Sequence, residues 1–468
     1  MKKEFKSRRN FLQGTLMGAG LVASGGCSMS ITPWLSGHKE LTGLSDRPLR
    51  LAVIGVGGVG RRHLEYLCKS GERVVALCDV DAQELSNARE MTSVKFPDVQ
   101  SFQDFRVMFD SVRNLDAVVI ATPDHGHGMQ AVRALREGCH VYLETPLTHT
   151  LEELHVLEYE AGKAGRLVLS GNLQCTHEMA LRAFAALESG VTGKIREVHI
   201  WTNRPVWPQG AAMPVGSDPV PETLAWDLWL AGARPRSFKR FAYHKFNWRG
   251  WSDFGSGALG DIGCQMLSFP FKALALQAPL SVERIFADGG SLAAYPKASE
   301  LKFVCKSERQ KANVELFWYD GNRMPNSDIV KQVQATLGRV PGTGVLLVGE
   351  RSNWFVSGSG CKQHYIGLNG ASRMTDFEKH DLWLSSKKVV TRYENYHQLF
   401  LGAVRSGKAY AFSKTAGMAL NKAVLSGAIA QRVGGKIEWK NRKWRFADGG
   451  GANKMLAPFL QPGWEYFK

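Results

Sequence analysis

The sequence predicts an α/β protein with two domains, a doubly wound parallel sheet followed by an α+β domain on a largely antiparallel, open-faced sheet. From residue 48 to about 175, short apolar runs alternate with helical segments, as in parallel sheets with crossover helices. Past Ala180 the pattern changes to alternating segments typical of half-buried strands. We therefore predict a leader and linker at 1–47, a first domain at 48–175 and a second at 176–468.

The first strand and the turn behind it are the most informative part of the chain. Residues 51–54 form a short apolar run of the buried-strand type. In the G-x-G-x-x-G turn that follows, the first glycine permits a tight turn, the second admits a pyrophosphate and the third packs helix against strand. Unpaired N–H groups at the next helix start favour phosphate. The segment predicts a Rossmann domain that holds a dinucleotide through Gly55, Gly57, Gly58, Val59 and Gly60.

The second strand indicates which dinucleotide is bound. It covers 74–78 and ends at Asp79, nineteen residues after Gly60. A carboxylate at this position accepts hydrogen bonds from a ribose 2′-OH and repels a 2′-phosphate, so NAD is favoured over NADP. Arg61 and Arg62 keep NADP open, although they also suit an exposed first helical turn.

The remaining strands of the first domain are followed by polar residues. Strands are predicted at 115–121, His140–Leu143 and 167–170, and helices at 129–137 and Leu151–Ala164. Ligands of such sheets bind beyond the carboxyl ends of the strands. We therefore expect the cofactor cleft to be lined by Thr122, Pro123, Asp124, His127 and Glu144.

The second domain is predicted from β-type periodicity. A helix is expected to end near residue 189, another to cover 416–431, and an irregular aromatic tail to cover 434–468. The strands are expected at 195–202, 281–287, 301–305, 313–319 and 344–348.

The N-terminus has the layout of a twin-arginine export signal. Arg8 and Arg9 precede a modestly apolar run at 15–26, which is too short and glycine-rich for a stable membrane span. The expected location is therefore periplasmic, reached through the twin-arginine export machinery. Cys27 follows Ser-Gly-Gly and resembles a lipoprotein processing site, so we expect a membrane anchor only if Cys27 is lipidated. A plain small-residue cleavage site is the equal alternative.

Charge and cysteine content narrow the function further. The chain carries a formal net charge of +16, with one dense basic run at 440–445, but no nucleic-acid recognition motif accompanies that run, so we expect no nucleic-acid partner. The eight cysteines show no C-x-x-C spacing. We therefore predict neither a metal site nor a disulfide framework.

After residue 48 the chain resembles the Gfo/Idh/MocA family of sugar-linked dehydrogenases. The resemblance rests on GVGGVG (55–60), ALCD (76–79), ATPDHGH (121–127), YLETPL (142–147) and GSGALGDIGCQ (255–265). It implies an NAD(P)-dependent oxidoreductase that acts on a sugar or sugar derivative. By analogy with homologous folds, it also implies a homo-oligomer paired through the open sheet face.

Two positions depart from the family motifs. Thr145 stands where the E-K-P motif has lysine, and Gln265 stands four residues after Asp261, where the family has histidine. The resemblance assigns stabilisation of the alkoxide to the lysine and exchange of the hydroxyl proton to the histidine. Threonine lacks the charge and glutamine cannot ionise. Loss of an acid–base group costs ~10²–10⁴-fold in rate, so we expect ordinary alcohol oxidation to be impaired.

Other residues are candidates for the missing roles. The catalytic candidates are Asp261, Gln265, Thr145 and His127. His127 and His125 follow the strand predicted at 115–121, where histidine suits proton transfer. The alternative is that these residues fix the loop, and that role is favoured for His125. A predicted loop over the cleft offers further charge and polarity, from Tyr243, His244, Lys245 and Arg249. Surface pairing would equally explain Lys245 and Arg249.

A cluster of tryptophans favours a saccharide ligand. Six of the thirteen tryptophans fall within 51 residues, namely Trp201, Trp207, Trp226, Trp229, Trp248 and Trp251. Aromatic faces stack on sugar rings, but most of these side chains are expected to be core, and Trp226 and Trp229 are spaced for helical packing.

Three functions fit these observations. The first is an exported NAD(P)-dependent sugar oxidoreductase, working either with net oxidation or redox-neutrally with a tightly held cofactor. The second is a NAD-assisted glycoside hydrolase or lyase, and the third is a non-catalytic sugar-binding protein that kept the scaffold. Export favours redox-neutral chemistry, because little free NAD exists outside the cytoplasm.

Overall fold

The computed structural model describes residues 47–171, 177–385, 395–406, 416–440, 445–447 and 450–466. The first domain contains β1 (Arg50–Ile54), β2 (Arg73–Cys78), β3 (Gln100–Phe102), β4 (Ala117–Ile120), β5 (His140–Leu143) and β6 (Val168–Ser170). All neighbouring pairs are parallel, in the order β3-β2-β1-β4-β5-β6. This order confirms the predicted doubly wound sheet. It also creates a ligand crevice between β1 and β4, where the strand order reverses.

Five helices flank this sheet: α1 (Gly58–Leu67), α2 (Ala82–Ser93), α3 (Phe105–Ser111), α4 (Asp124–Arg136) and α5 (Leu151–Ala164). Side chains cap the starts of α2, α3 and α5. The Asp81 carboxylate accepts from Gln83 N–H at α2, and Thr150 and Glu153 form a capping box at α5.

The helix predicted at 129–137 begins earlier, at Asp124. Pro123 stands at its N-cap, and its φ of −59° suits a helix start. Asp124, His125 and His127 therefore lie in the first turn of α4 and not on a connecting loop, which corrects the expectation from sequence. Three further elements, β3, α2 and α3, were not predicted. They are short or bury few side chains, so their periodicity is weak.

The second domain is built on nine strands: β7 (Ile195–Trp201), β8 (Leu276–Asp288), β9 (Ala298–Ser307), β10 (Ala312–Tyr319), β11 (Gly344–Gly349), β12 (Ser352–Ser357), β13 (Gln363–Leu368), β14 (Thr375–Asp376) and β15 (Lys436–Glu438). The order is β14-β13-β12-β11-β7-β10-β9-β8-β15, and within this sheet of the described segments β7 and β10 are the only pair that is parallel. The largely antiparallel sheet is thus confirmed. One correction concerns the tail, because its residues 436–438 join the sheet edge as β15.

The helices of this part are α6 (Glu178–Glu188), α7 (Trp226–Leu230), α8 (Cys264–Ala273), α9 (Ser327–Leu337), α10 (Asp381–Ser385), α11 (Tyr396–Ser406) and α12 (Ala416–Val433). Buried side chains of α6, α8 and α12 share one core cluster with the sheet. A π-helical turn at Leu259–Gly263 runs directly into α8 and carries Asp261. Such turns recur at functional sites.

Helix α11 returns to the first domain. Its Phe400, Leu401 and Val404 side chains are buried in the cluster formed by α1 and the parallel sheet. Arg405 forms two hydrogen bonds with the Glu72 carboxylate, at 2.9 and 2.6 Å. Helix α11 therefore lies after the predicted domain boundary at residue 175 but packs into the hydrophobic core of the first domain.

Three of the predicted features lie outside the described residues: the export signal, Cys27 and residues 441–444 of the basic run. Within the described segments, no helix combines the length and apolarity needed to cross a membrane.

Candidate functional site

A cavity of about 1030 Å³ lies at the carboxyl ends of the parallel strands, between the two domains. It gathers nearly all of the residues predicted for the cofactor: Gly55, Gly57, Gly58, Val59, Asp79, Thr122, Pro123, Asp124, His127 and Glu144. The other predicted catalytic residues, Thr145, Asp261 and Gln265, border the same cavity. Gly60 is absent from its wall because it packs beneath the turn.

The glycine turn has the geometry that the motif requires. Gly55 has a φ of +81°, and a Cβ on Gly60 would lie 1.7 Å from the Gly55 carbonyl oxygen. Gly57 is the N-cap of α1, and no side chain in the described segments caps that helix start. The first N–H groups of α1 are therefore available to an anion at the cavity wall, and the turn fits a dinucleotide diphosphate.

Asp79 is held in place by the backbone around it. Its carboxylate accepts hydrogen bonds from Val56 N–H at 2.8 Å and Asp81 N–H at 3.0 Å. Burial raises the pKa of Asp79 to about 6, against the lowering effect of those two N–H groups. The carboxylate is therefore ionised at neutral pH and can accept from ribose hydroxyls.

The predicted loop over the cleft is observed, and it is tied to the first domain near Asp79. The Lys245 ammonium lies 2.6 Å from the Glu84 carboxylate, and His244 Nε2 lies 3.3 Å from Asp81. Tyr243 is buried in an aromatic cluster. The charge of Lys245 is thus paired at the cavity rim, as the alternative interpretation held.

His125 and His127 have both ring nitrogens against backbone carbonyls. His127 contacts the Pro146 and Thr122 carbonyl oxygens at 2.7 and 2.8 Å, which joins the segments that follow β4 and β5. His125 contacts Trp229 and Phe254 carbonyls. Burial lowers the pKa of both imidazoles. This geometry favours structural roles for both residues over proton transfer.

The end of the cavity beside the second domain contains the carboxylates of Asp124 and Asp261 and the guanidinium of Arg249. Arg249 Nε donates to Asp261 Oδ1 at 2.8 Å, so Asp261 is paired with a cation and not with the family's histidine. Asp124 borders the cavity beside them and is buried. Burial raises the pKa of Asp124 to about 7, and the Asp261 charge acts in the same direction while Arg249 opposes it.

Glu144 is part of a hydrogen-bonded chain that was not predicted from the sequence. Glu144 Oε1 lies 2.8 Å from His63 Nε2, and His63 Nδ1 lies 2.8 Å from His397 Nε2. The His397 ring stacks on Tyr66 and Tyr142. The position of His63, three residues after Gly60, could have indicated it. Nothing local in the sequence marks His397, and the same holds for Trp464 of the tail, which also borders the cavity.

The six clustered tryptophans are all less than a tenth exposed. Trp226 and Trp229 stack with ring centroids 4.8 Å apart, as the helical spacing suggested. Only Trp207, Trp229 and Trp248 of the six border the cavity. Core packing therefore accounts for most of the cluster, and Phe246, which is about half exposed, adds the open aromatic face.

The similarity of this chain to known protein families is clearest in the first domain. Residues 49–172 match the model of the Gfo/Idh/MocA family, described as an oxidoreductase family with an NAD-binding Rossmann fold. The chain is 30% identical over 163 residues to D-glucoside 3-dehydrogenase of Escherichia coli (strain K12), covering 34% of this chain and 44% of that protein. It is 27% identical over 202 residues to Glycosyl hydrolase family 109 protein 2 of Shewanella sp. (strain ANA-3), covering 40% and 44%. The matches thus span less than half the length of each relative.

A likeness in fold extends over most of the chain. The WlbA dehydrogenase of Chromobacterium violaceum, solved in complex with NADH and UDP-GlcNAcA, superposes with a TM-score of 0.56 at 16% identity. The superposition covers 86% of this chain and 99% of that one. The family match confirms the predicted cofactor class, a nicotinamide dinucleotide. Residues 49–172 of this chain are therefore similar to the NAD-binding Rossmann domain of the Gfo/Idh/MocA family of oxidoreductases.

Proposed function

We propose that this protein is an NAD-dependent oxidoreductase that acts on a sugar or sugar derivative. One observation carries the proposal: a single cavity joins the glycine turn and Asp79 to Asp261 and Gln265. A dinucleotide bound at the turn would place its nicotinamide toward the segments after β4 and β5, at the crevice of the sheet. Substrate and cofactor would then meet in one cavity.

The adenosine end supports NAD as the preferred form. Asp79 and Glu84 both border the cavity there, and the neighbouring Lys245 is already paired with Glu84. A 2′-phosphate would meet these two carboxylates, and Arg62 on the cavity wall is a cation that could offset them. Ribose hydroxyls, in contrast, can donate to Asp79.

The other end supports a polyhydroxylated substrate. Aromatic surface from Phe246, Trp207 and Trp248 borders the cavity next to Arg249 and Asp261. Apolar ring faces beside charged hydrogen-bonding groups suit the C–H faces and hydroxyls of a sugar. The similarity to D-glucoside 3-dehydrogenase points to the same substrate class.

We further propose an exported enzyme that retains its cofactor between turnovers. The support is the arginine pair and apolar run before Cys27, together with a cavity of about 1030 Å³ that can enclose a dinucleotide. An exported enzyme that kept NAD bound would favour redox-neutral chemistry, in which a sugar carbon is oxidised and the same hydride returns.

NAD-assisted glycoside hydrolysis is the second candidate. The similarity to Glycosyl hydrolase family 109 protein 2 extends over 202 residues and favours it. The replacement of the family's lysine and histidine by Thr145 and Gln265 is compatible with it as well. Transient oxidation of a sugar carbon, elimination of the aglycone, addition of water and return of the same hydride would cleave a glycosidic bond with no net change in cofactor.

The test begins with protein purified under mild conditions. The protein is denatured and the released nucleotide is assayed for NAD(H) and NADP(H), and a Gly60→Ala variant serves as the control that lacks a working turn. The NAD-loaded protein is then offered free sugars and aryl glycosides, while NADH absorbance and released aglycone are followed together. Absorbance change indicates net oxidation, and aglycone without absorbance change indicates the second candidate. A protein that neither contains nor binds NAD(H) would contradict both.

A further inference from the structure

We propose that Asp124 is the acid–base residue of this site and that Arg249 supplies the positive charge beside the substrate, in place of the missing histidine and lysine. This inference rests on the proposed oxidoreductase function and assigns residues to it. Neither residue belongs to the two motifs that the resemblance identified as catalytic.

The position of Asp124 suits a group that exchanges a proton with a bound substrate. Asp124 is the first residue of α4 and directly follows Thr122 and Pro123, which border the nicotinamide half of the crevice. A Cβ on Gly260 would lie 3.7 Å from Asp124 Oδ2, so the carboxylate faces the π-helical turn that carries Asp261. The side chain is 4% exposed and still borders the cavity.

The position of Arg249 suits stabilisation of a substrate oxyanion. Its guanidinium lies 4.3 Å from the ring centroids of both Phe246 and Trp248, and its Nε donates to Asp261 Oδ1 at 2.8 Å. These contacts fix the planar group at the cavity wall, and a guanidinium has further N–H donors with which to bind an acceptor. Asp261 then acts as a positioning residue for Arg249.

The charged groups around Asp124 tune it for proton exchange. Burial raises the pKa of Asp124 to about 7, hydrogen bonding with Ser256 and the Arg249 cation lower it, and the Asp261 carboxylate raises it. Two further titratable groups, the Cys264 thiol and the Tyr295 phenol, lie within electrostatic reach of Asp124. Burial raises the pKa of both of these groups, so they stay neutral. A carboxyl that titrates near neutrality matches the requirement for efficient acid–base catalysis.

The proposed step conserves atoms and electrons. Oxidation of a sugar carbinol breaks one C–H bond, and its electron pair leaves as hydride to bound NAD, which is reduced. The O–H bond of the same carbinol breaks, its electron pair forms the carbonyl, and its proton goes to ionised Asp124. Arg249 stabilises the negative charge that develops on the oxygen. In the return step Asp124 gives the proton back to that oxygen as hydride returns to the carbon.

Three variants test the assignment in the full-length, NAD-loaded protein. We expect Asp124→Asn to lower the rate of hydride transfer by ~10²–10⁴-fold and Arg249→Met by ~10²–10³-fold, both measured at saturating NAD. Arg323→Met is the matched control, because Arg323 also pairs with a carboxylate, Glu300, and lies over an aromatic ring, Phe286, away from the cavity. Asp124→Asn activity within threefold of wild type would overturn the assignment.

The pH profile provides a readout that a structural role would not move. Wild-type kcat/KM should rise with pH through an ionisation near 7. The Arg249→Met variant should shift that ionisation to higher pH. The Arg249 cation of the wild type stabilises the ionised form of Asp124, and the variant lacks this cation. An ionisation at the same pH in both proteins would count against the proposal.

Infrared difference spectra keep the test independent of turnover. Burial raises the pKa of Asp79 to about 6 and those of Glu153 and Asp320 to about 7, so these carboxyls also lose their protons as pH is raised from 5 to 9. The loss of protonated-carboxyl absorption over that range should therefore be smaller in the cofactor-free Asp124→Asn variant than in the cofactor-free wild-type protein. Such a difference without any sugar oxidation contradicts the proposed function and leaves the acid–base assignment standing on the spectra. Equal losses in the two proteins overturn the assignment itself.

Discussion

His63 Nδ1 and His397 Nε2 lie 2.8 Å apart although 334 residues separate them in the chain. The contact joins α1, which follows the glycine turn, to α11, which lies beyond most of the second domain in the chain. Through His63 it also reaches Glu144 on the cavity wall, at 2.8 Å. Burial raises the pKa of Glu144, but the hydrogen bond and charge of His63 outweigh burial and hold it below its ordinary value. The ionised Glu144 accepts from His63, and burial lowers the pKa of His397 to about 4, which keeps His397 neutral.

The first prediction concerns this chain of hydrogen bonds. His397→Ala should lower the free energy of unfolding by about 1–3 kcal/mol, because it removes a hydrogen-bond partner of His63 and the stacking on Tyr66 and Tyr142. His397→Gln keeps a polar partner for His63 and should lose less. Chemical denaturation measures the loss of unfolding free energy in each variant. An equal loss in His397→Ala and His397→Gln would contradict the prediction.

The second prediction concerns the pH dependence of cofactor binding. The pKa of Asp79 is raised to about 6, so the carboxylate that accepts from ribose is lost as pH falls through 6. NAD affinity should therefore weaken about tenfold per pH unit below that value, which corresponds to about 1.4 kcal/mol per unit. Calorimetry from pH 5 to 8 measures this.

Asp79→Asn should remove most of that pH dependence and weaken the preference for NAD over NADP. Asp98→Asn is the control, since Asp98 is an exposed carboxylate in the same domain, paired with Arg73. Unchanged nucleotide preference in Asp79→Asn would show that Asp79 does not select the cofactor.

The third prediction separates two glycines in helices. Gly60→Ala should abolish NAD binding and destabilise the domain, because its Cβ would collide with the Gly55 carbonyl oxygen at 1.7 Å. Gly162→Ala on α5 meets no atom within 4 Å and should stabilise the protein by about 0.5–1 kcal/mol. Melting temperatures and NAD calorimetry on both variants test the contrast. Equal changes in melting temperature and NAD affinity for the two variants would mean that the packing of Gly60 against Gly55 tolerates a Cβ atom.

The fourth prediction uses two buried aspartates with opposite pKa shifts. The pKa of Asp124 is raised from 3.8 to about 7. Its contribution to the free energy of unfolding is therefore fully present below the pKa of an aspartate in the unfolded chain, and it is lost as pH rises through 7. Ionising it costs on the order of 4 kcal/mol at high pH. Asp124→Asn should therefore melt higher than wild type at pH 8.5 and near wild type at pH 5.

Asp116 is the matched control with the opposite sign. Burial raises the pKa of Asp116, but the hydrogen bonds from Arg47 and from the Arg50 N–H, with the charges of both arginines, together outweigh burial and lower it. The contribution of Asp116 to stability is therefore present above its pKa in the unfolded chain and is lost as pH falls through its pKa in the folded protein. Asp116→Asn should melt lower than wild type at pH 7, with the difference shrinking toward pH 3. A pH-independent difference in melting temperature for both variants would refute the electrostatic account.

Local signals in the sequence determined the first domain and its cofactor end. A buried strand, a tight glycine turn and a strand ending at Asp79 each depend on residues close in sequence, so periodicity and turn chemistry suffice to predict them. The same holds for the segments after β4 and β5, because parallel strands bring their carboxyl ends to one edge. The departures at Thr145 and Gln265 are likewise visible in short motifs, and both residues border the cavity.

Tertiary packing alone decided what surrounds those positions. The pairing of Arg249 with Asp261 beside Asp124, the docking of α11 on the parallel sheet and the burial of the clustered tryptophans all join segments that are distant in the chain. Periodicity shows which face of an element is apolar, but not which partner covers it. The pKa of a carboxyl such as Asp124 likewise depends on burial and on charges from other elements, so only the folded arrangement determines it.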